Sequence, residues 1–104
     1  MTAAAQLSSL LEQLEQQMQQ AHLWGVTRPS DEALASAQPF AIDTLQPEQW
    51  LQWIFVARMQ ALVVQDQALP KGFSIHPYFS EVWKGQSELV ELLNTISSID
   101  EACA

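Results

Sequence analysis

Positive charge is scarce in this chain. Its 104 residues hold four Lys and Arg against twelve Asp and Glu, a net charge of −8 at neutral pH. The four cations, Arg28, Arg58, Lys71 and Lys84, stand singly. Binding nucleic-acid phosphates takes clustered Lys and Arg that displace counterions. No cluster can be assembled here, so direct RNA or DNA binding is not expected. Anionic membrane surfaces are disfavoured on the same ground.

Other absences narrow the field further. The one cysteine, Cys103, has no partner for an intrachain disulfide, which fits a reducing compartment. Its penultimate position reads as a frayed tail. His22 and His76 are the only histidines, with no second His or Cys at ligand spacing, so no metal site is expected. The three glycines, Gly25, Gly72 and Gly85, stand apart as punctuation and form no phosphate-cradling loop. No nucleophile-elbow signature occurs. The reading is therefore a non-enzyme without a cofactor. The most apolar stretch, 50–64, is broken by Gln52, Arg58 and Gln60 and is too short and polar to span a bilayer. The first residues lack the basic and apolar regions of a signal peptide, which points to the cytoplasm.

What remains is a helical chain. Its length suits one domain over residues 1–104, able to bury roughly 60–70% of its unfolded surface. A hydrophobic fraction of 48% with four Trp indicates an aromatic-rich core. Leu7, Leu11, Leu14, Met18 and Ala21 recur at helical spacing, opposite Gln13, Gln16 and Gln20, and predict a helix over 2–23 with Thr2 as N-cap and Gly25 as terminator. Its leucine seam covers only about two heptads, so packing within a bundle is the default and dimerisation the alternative. Ser30 to Ser36 suits a short helical turn. Phe40, Ile42 and Leu45 are apolar within a connector and should pack on the core.

The strongest helix spans 45–66, with Thr44 or Gln46 as N-cap and Pro47 in its first turn. It is apolar nearly all round, which predicts a central helix wrapped by the others. A short helix from Pro77 to Trp83 ends at Gly85. Ser87 caps a last helix over 88–100, with Leu89, Leu92, Leu93, Ile96 and Ile99 on one face. No strand pattern appears. The fold class is all-α: a compact bundle of three long helices plus one or two short ones around a central apolar helix.

The run Gln38-Pro39-Phe40, Asp43-Thr44, Trp50-Leu51-Gln52-Trp53 and Arg58-Met59, followed by Leu69-Pro70 and Pro77-Tyr78, resembles the YqcC-like family of small bacterial proteins over essentially the whole chain. The resemblance implies a compact helical bundle and no settled activity. Some members are labelled tRNA pseudouridine synthase C or related to it. A synthase of the known kind needs a catalytic aspartate in an Arg-Leu-Asp-type context on a mixed α/β scaffold. Asp31, Asp43, Asp66 and Asp100 all lack that context, which leaves an accessory role beside such an enzyme.

Candidate interaction or loop-pinning residues are Asp43, Trp50, Trp53, Arg58, His76 and Tyr78. Arg58 lies mid-helix among Val56, Ala57 and Met59, and a buried guanidinium must be paired. It ties Asp43 or Glu48 to the helix, lines an anion-binding pocket, or snorkels to solvent. Trp50 and Trp53, three apart, share a helix face and belong to the core, or mark a partner site where exposed. Two functions lead, ahead of an enzyme in its own right. One is a non-catalytic interaction or accessory protein, a monomer or weak homodimer, whose acidic surface binds a protein partner. The other is a small-molecule binding module with its pocket between the 38–44 loop, Arg58 and the 73–79 segment.

Overall fold

The chain enters its first helix through Thr2, whose Oγ1 accepts the Ala5 N–H at 3.1 Å, a cap worth about 1 kcal/mol. The computed structural model describes residues 2–104. Helix α1, Ala3–Gln20, buries Leu7, Leu11, Leu14 and Met18 as the leucine spacing predicts. It stops earlier than expected, and not at Gly25. His22 takes a left-handed conformation, φ 60°. Its N–H donates to the Gln19 carbonyl at 3.1 Å, and the Leu23 N–H to the Met18 carbonyl at 2.8 Å. These two bonds pair carbonyls that the helix end would otherwise orphan. Gly25 instead meets the buried Gln52, whose Oε1 accepts the Gly25 N–H and whose Nε2 donates to the Gly25 carbonyl, both at 2.8 Å. A side-chain amide thus bonds the connector as a second backbone strand would.

Helix α2, Asp31–Leu34, is one turn capped by Ser30, whose Oγ accepts the Ala33 N–H. A 3₁₀ turn follows at Pro39–Ala41, with Phe40 and Ala41 both at positive φ, 57° and 49°. Phe40 and Leu45 pack inward as expected, but Ile42 is 60% exposed.

Helix α3 runs over residues 47–64 in three parts: an α-turn at Pro47–Trp50, a π-helical stretch at Leu51–Val56, and an α-helical stretch at Ala57–Val64. Gln46 is the N-cap residue, its N–H donating to Gln49 Oε1 at 2.8 Å, and Pro47 takes the first helical position. In the wide stretch the Ala57 N–H reaches back five residues to the Gln52 carbonyl. Leu51, Gln52, Phe55, Val56 and Met59 are buried. The helix, expected to be buried on most sides, leaves one side open. Ala57, Arg58, Ala61 and Val64 form an outer stripe in water, tolerable because two of the four are alanine, with little apolar surface to expose. The broadest helix contact joins the first and last helices instead.

Helix α4, His76–Val82, buries Phe79, with Trp83 buried just beyond it, and a turn at Gly85, φ 82°, ends the segment. Ser87 opens a 3₁₀ turn, Ser87–Leu89, but makes no side-chain cap. Helix α5, Val90–Ala102, buries Leu92, Thr95, Ile96 and Ile99 against α1 and α4. Cys103 is not frayed: it is 4% exposed, and burial, then the neighbouring Asp100, raises its thiol pKa. The Cys103 carbonyl accepts the Gly72 N–H at 2.8 Å.

The start of α4 is capped from far along the chain. The Asp100 carboxylate accepts the Ile75 N–H at 3.0 Å and the His76 N–H at 2.9 Å, with the Ser74 hydroxyl at 3.4 Å. A carboxylate is the acceptor that the positive end of a helix favours. Asp100→Ala leaves these donors unpaired, a loss of about 2 kcal/mol, or roughly 10 °C in a domain of this size. Thermal unfolding followed by circular dichroism measures this; an unchanged midpoint contradicts the clamp.

Candidate functional site

The widened turn of α3 and the returning chain at 69–75 leave an apolar pocket of about 260 Å³ between them. From α3 come Trp50, Ile54, Phe55, Arg58 and Met59. Pro70, Phe73 and Ile75 form the opposite wall. The Asp100 clamp fixes that wall, because Ile75 gives its N–H to the carboxylate.

One side of the pocket is continuous with an aromatic cluster. Phe40 stacks on Tyr78, centroids 4.0 Å apart and planes within 8°. It also meets Trp50 at 4.7 Å and Phe79 edge-on at 6.2 Å. Trp50 lies 5.8 Å from Phe55, and Phe55 is 5.7 Å from Phe73. Rings at these separations attract beyond their buried area. They, and not an ion pair, pin the 38–44 loop to α3.

The proposed Arg58–Asp43 tie is therefore absent. Asp43 is exposed, its Oδ1 accepting the Ser36 hydroxyl. Arg58 is exposed at the pocket, and among the described residues it forms neither ion pair nor side-chain hydrogen bond. It belongs to the outer stripe of α3, where water, and not a carboxylate, solvates the guanidinium. Trp50 and Trp53 do not act together either. Residues three apart lie side by side on an α-turn, but the π stretch carries Trp53 farther round. Its indole sits beside Gly25, while Trp50 faces the cluster. His76 spends its N–H on Asp100, and its side chain is not part of the pocket lining. Of the expected set, the pocket unites Trp50 and Arg58, and the cluster joins Trp50 to Tyr78.

Sequence reasoning missed Asp100 and Gln52. Gln52 had a signal, since a polar residue inside an apolar helix must find buried partners. Asp100 had none, because its partners are backbone groups 24 and 25 residues away. Among the described residues no three His, Cys, Asp or Glu side chains converge on a metal-sized site. No helix of the described chain is long and apolar enough to cross a membrane.

All-helical over its described residues, with an apolar pocket and an aromatic cluster, the chain is a small helical module. The family model described as tRNA pseudouridine synthase C, DUF446, matches residues 6–102, and the chain belongs to this YqcC-like family. A Haemophilus influenzae protein named only as uncharacterized is 46% identical over 91 residues, covering 88% of this chain and 86% of its own. A Pectobacterium carotovorum protein named tRNA pseudouridine synthase C is 34% identical over 98 residues, covering 94% of this chain but 26% of its own; this chain thus spans about a quarter of that relative. The solution structure of Escherichia coli YqcC superposes with a TM-score of 0.87 at 28% identity, covering 100% of this chain and 90% of that one.

Tyr78 offers a direct probe of the cluster. Burial of its ring, and then the Glu48 carboxylate, raise its pKa above the ordinary 10.0. The sign follows from linkage: a raised folded-state pKa contributes stability in full below pH 10, lost as pH rises through the folded value. As the chain has one tyrosine, absorbance at the phenolate band reports it alone. The midpoint is expected above 10 in the native chain and lower in Phe40→Ala, which uncovers the ring. A native midpoint at or below 10 contradicts the stacked arrangement.

Proposed function

We propose that this chain is a non-catalytic accessory protein of the cytoplasm that docks onto a protein partner, and that the partner is an enzyme of tRNA pseudouridine modification. The observation that carries the reading is the Pectobacterium relative. There a segment similar to 94% of this chain makes up about a quarter of a longer polypeptide named tRNA pseudouridine synthase C. Covalent linkage holds a module beside its neighbour at high effective concentration. A free-standing module of the same family needs a docking surface to reach the same place.

The residues of this chain support an accessory part and not the chemistry in that name. Asp31 pairs with Arg28, Asp43 bonds Ser36, and Asp100 caps α4. Asp66 occupies the left-handed position that ends α3, φ 53°. Each aspartate thus has a structural occupation, and four scattered cations do not form a groove for tRNA. In this reading the chain, a monomer or weak homodimer, contacts the enzyme, and the enzyme contacts the RNA.

The test is a tagged pull-down from the source cell with quantitative mass spectrometry, beside a gel-shift assay of the chain with tRNA. The expected result is a tRNA pseudouridine synthase at near-equal amount and no shift of tRNA by the chain alone. Recovery without any such enzyme, or pseudouridine formed by the isolated chain, overturns the reading.

A further inference from the structure

Charge in this molecule is distributed unevenly in one telling respect. Among the described residues two ion pairs form, Arg28 with Asp31 at 2.7 Å and Lys84 with Glu81 at 3.9 Å. The two remaining cations, Arg58 and Lys71, have no carboxylate within reach although acidic residues outnumber basic ones three to one. One of the two, Arg58, lines the apolar pocket. An unpaired cation of an acidic protein thus stands at the pocket lined by Trp50, Phe55 and Phe73.

Resting on the docking reading above, we propose that this pocket is the docking site, and that its occupant is a partner segment carrying a large apolar side chain next to a carboxylate. The volume of about 260 Å³ is at the lower edge of the range of roughly 300–1,000 Å³ usual for small-molecule sites. It gives room for one aromatic side chain inserted from a protein surface. Such an anchor in an apolar pocket is the usual centre of an interface. An adjacent Asp or Glu on the segment meets Arg58, whose planar fork matches a carboxylate. The mostly acidic remainder of the surface then repels acidic sequences lacking the anchor, so both features are needed for recognition.

The site accommodates testing without endangering the fold, because Arg58 is exposed and makes no ion pair among the described residues. The probe is the blocked peptide acetyl-Gly-Trp-Glu-Gly-amide, titrated into the isotope-labelled full chain and followed by two-dimensional NMR. Expected are shifts confined to Trp50, Ile54, Arg58 and Phe73. Replacing the peptide Glu by Lys weakens binding roughly fivefold, the scale of an exposed ion pair turned repulsive, and replacing its Trp by Ala abolishes it. In Arg58→Glu the preference inverts and the Lys peptide binds better, an outcome no general destabilisation produces. Absent shifts, shifts elsewhere, or equal binding of the Glu and Lys peptides overturn the proposal. So does free N-acetyltryptophan binding more tightly than the peptide, which marks a small-molecule pocket. If the synthase is recovered equally by Arg58→Glu and by the native chain, this site falls and the accessory reading stands; if neither recovers it, the accessory reading falls.

Discussion

A carboxylate in the last helix governs the far side of this molecule. Asp100 takes the N–H groups of Ile75 and His76, and three residues later the Cys103 carbonyl takes that of Gly72. The segment between α3 and α4 has few hydrogen bonds of its own to satisfy its backbone, and unpaired groups near a core are costly. The last turn of α5 supplies the missing partners. It thereby aims α4 so that Phe79 and Trp83 enter the core, and holds Phe73 and Ile75 opposite α3. The pocket exists because a helix end and a connector share one carboxylate.

The other wall depends on aromatic packing that offsets backbone strain. Phe40 sits at φ 57°, where a bulky residue costs about 1–2 kcal/mol. Its ring meets Trp50, Tyr78 and Phe79, and aromatic pairs contribute about 0.5–1.5 kcal/mol each beyond burial. Three such pairs are of the same size as the strain. The connector is therefore held by rings whose joint position also shapes the mouth near Trp50, and Arg58 is left free of structural duty.

The sequence was most legible where periodicity decides the outcome. Leu7, Leu11, Leu14 and Met18 of α1, and Leu89 with Leu92, Ile96 and Ile99 of α5, are buried as spaced, while Leu10 and Leu93 are partly buried. Thr2 and Ser30 cap as their side chains suggest. It was least legible in α3. A helix apolar nearly all round looks buried on most sides without showing which side stays open; that side is the outer stripe of Ala57, Ala61 and Val64, and Arg58 with it. The π stretch, which moves Trp53 away from Trp50, leaves no mark in residue types. The clamp at Asp100 joins a side chain to distant backbone, and backbone groups carry no sequence signal. Pocket and cluster were thus foreseen in part, through Trp50, Arg58 and Tyr78, while the element that positions their opposite wall was invisible.

The family likeness and the geometry address different questions. Membership in the YqcC-like family and the matching E. coli solution structure fix the fold; the proposal for function stands on how charge and apolar surface are placed within it. Its central physical claim is that the 72–76 segment is held rigidly by α5, so that the pocket is preformed. Native-state amide hydrogen exchange measures this directly. The Gly72, Ile75 and His76 amides are predicted to exchange as slowly as those in the buried turns of α5, opening only with cooperative unfolding. Exchange of these three at the rate of a free loop, with α5 still protected, would contradict the account.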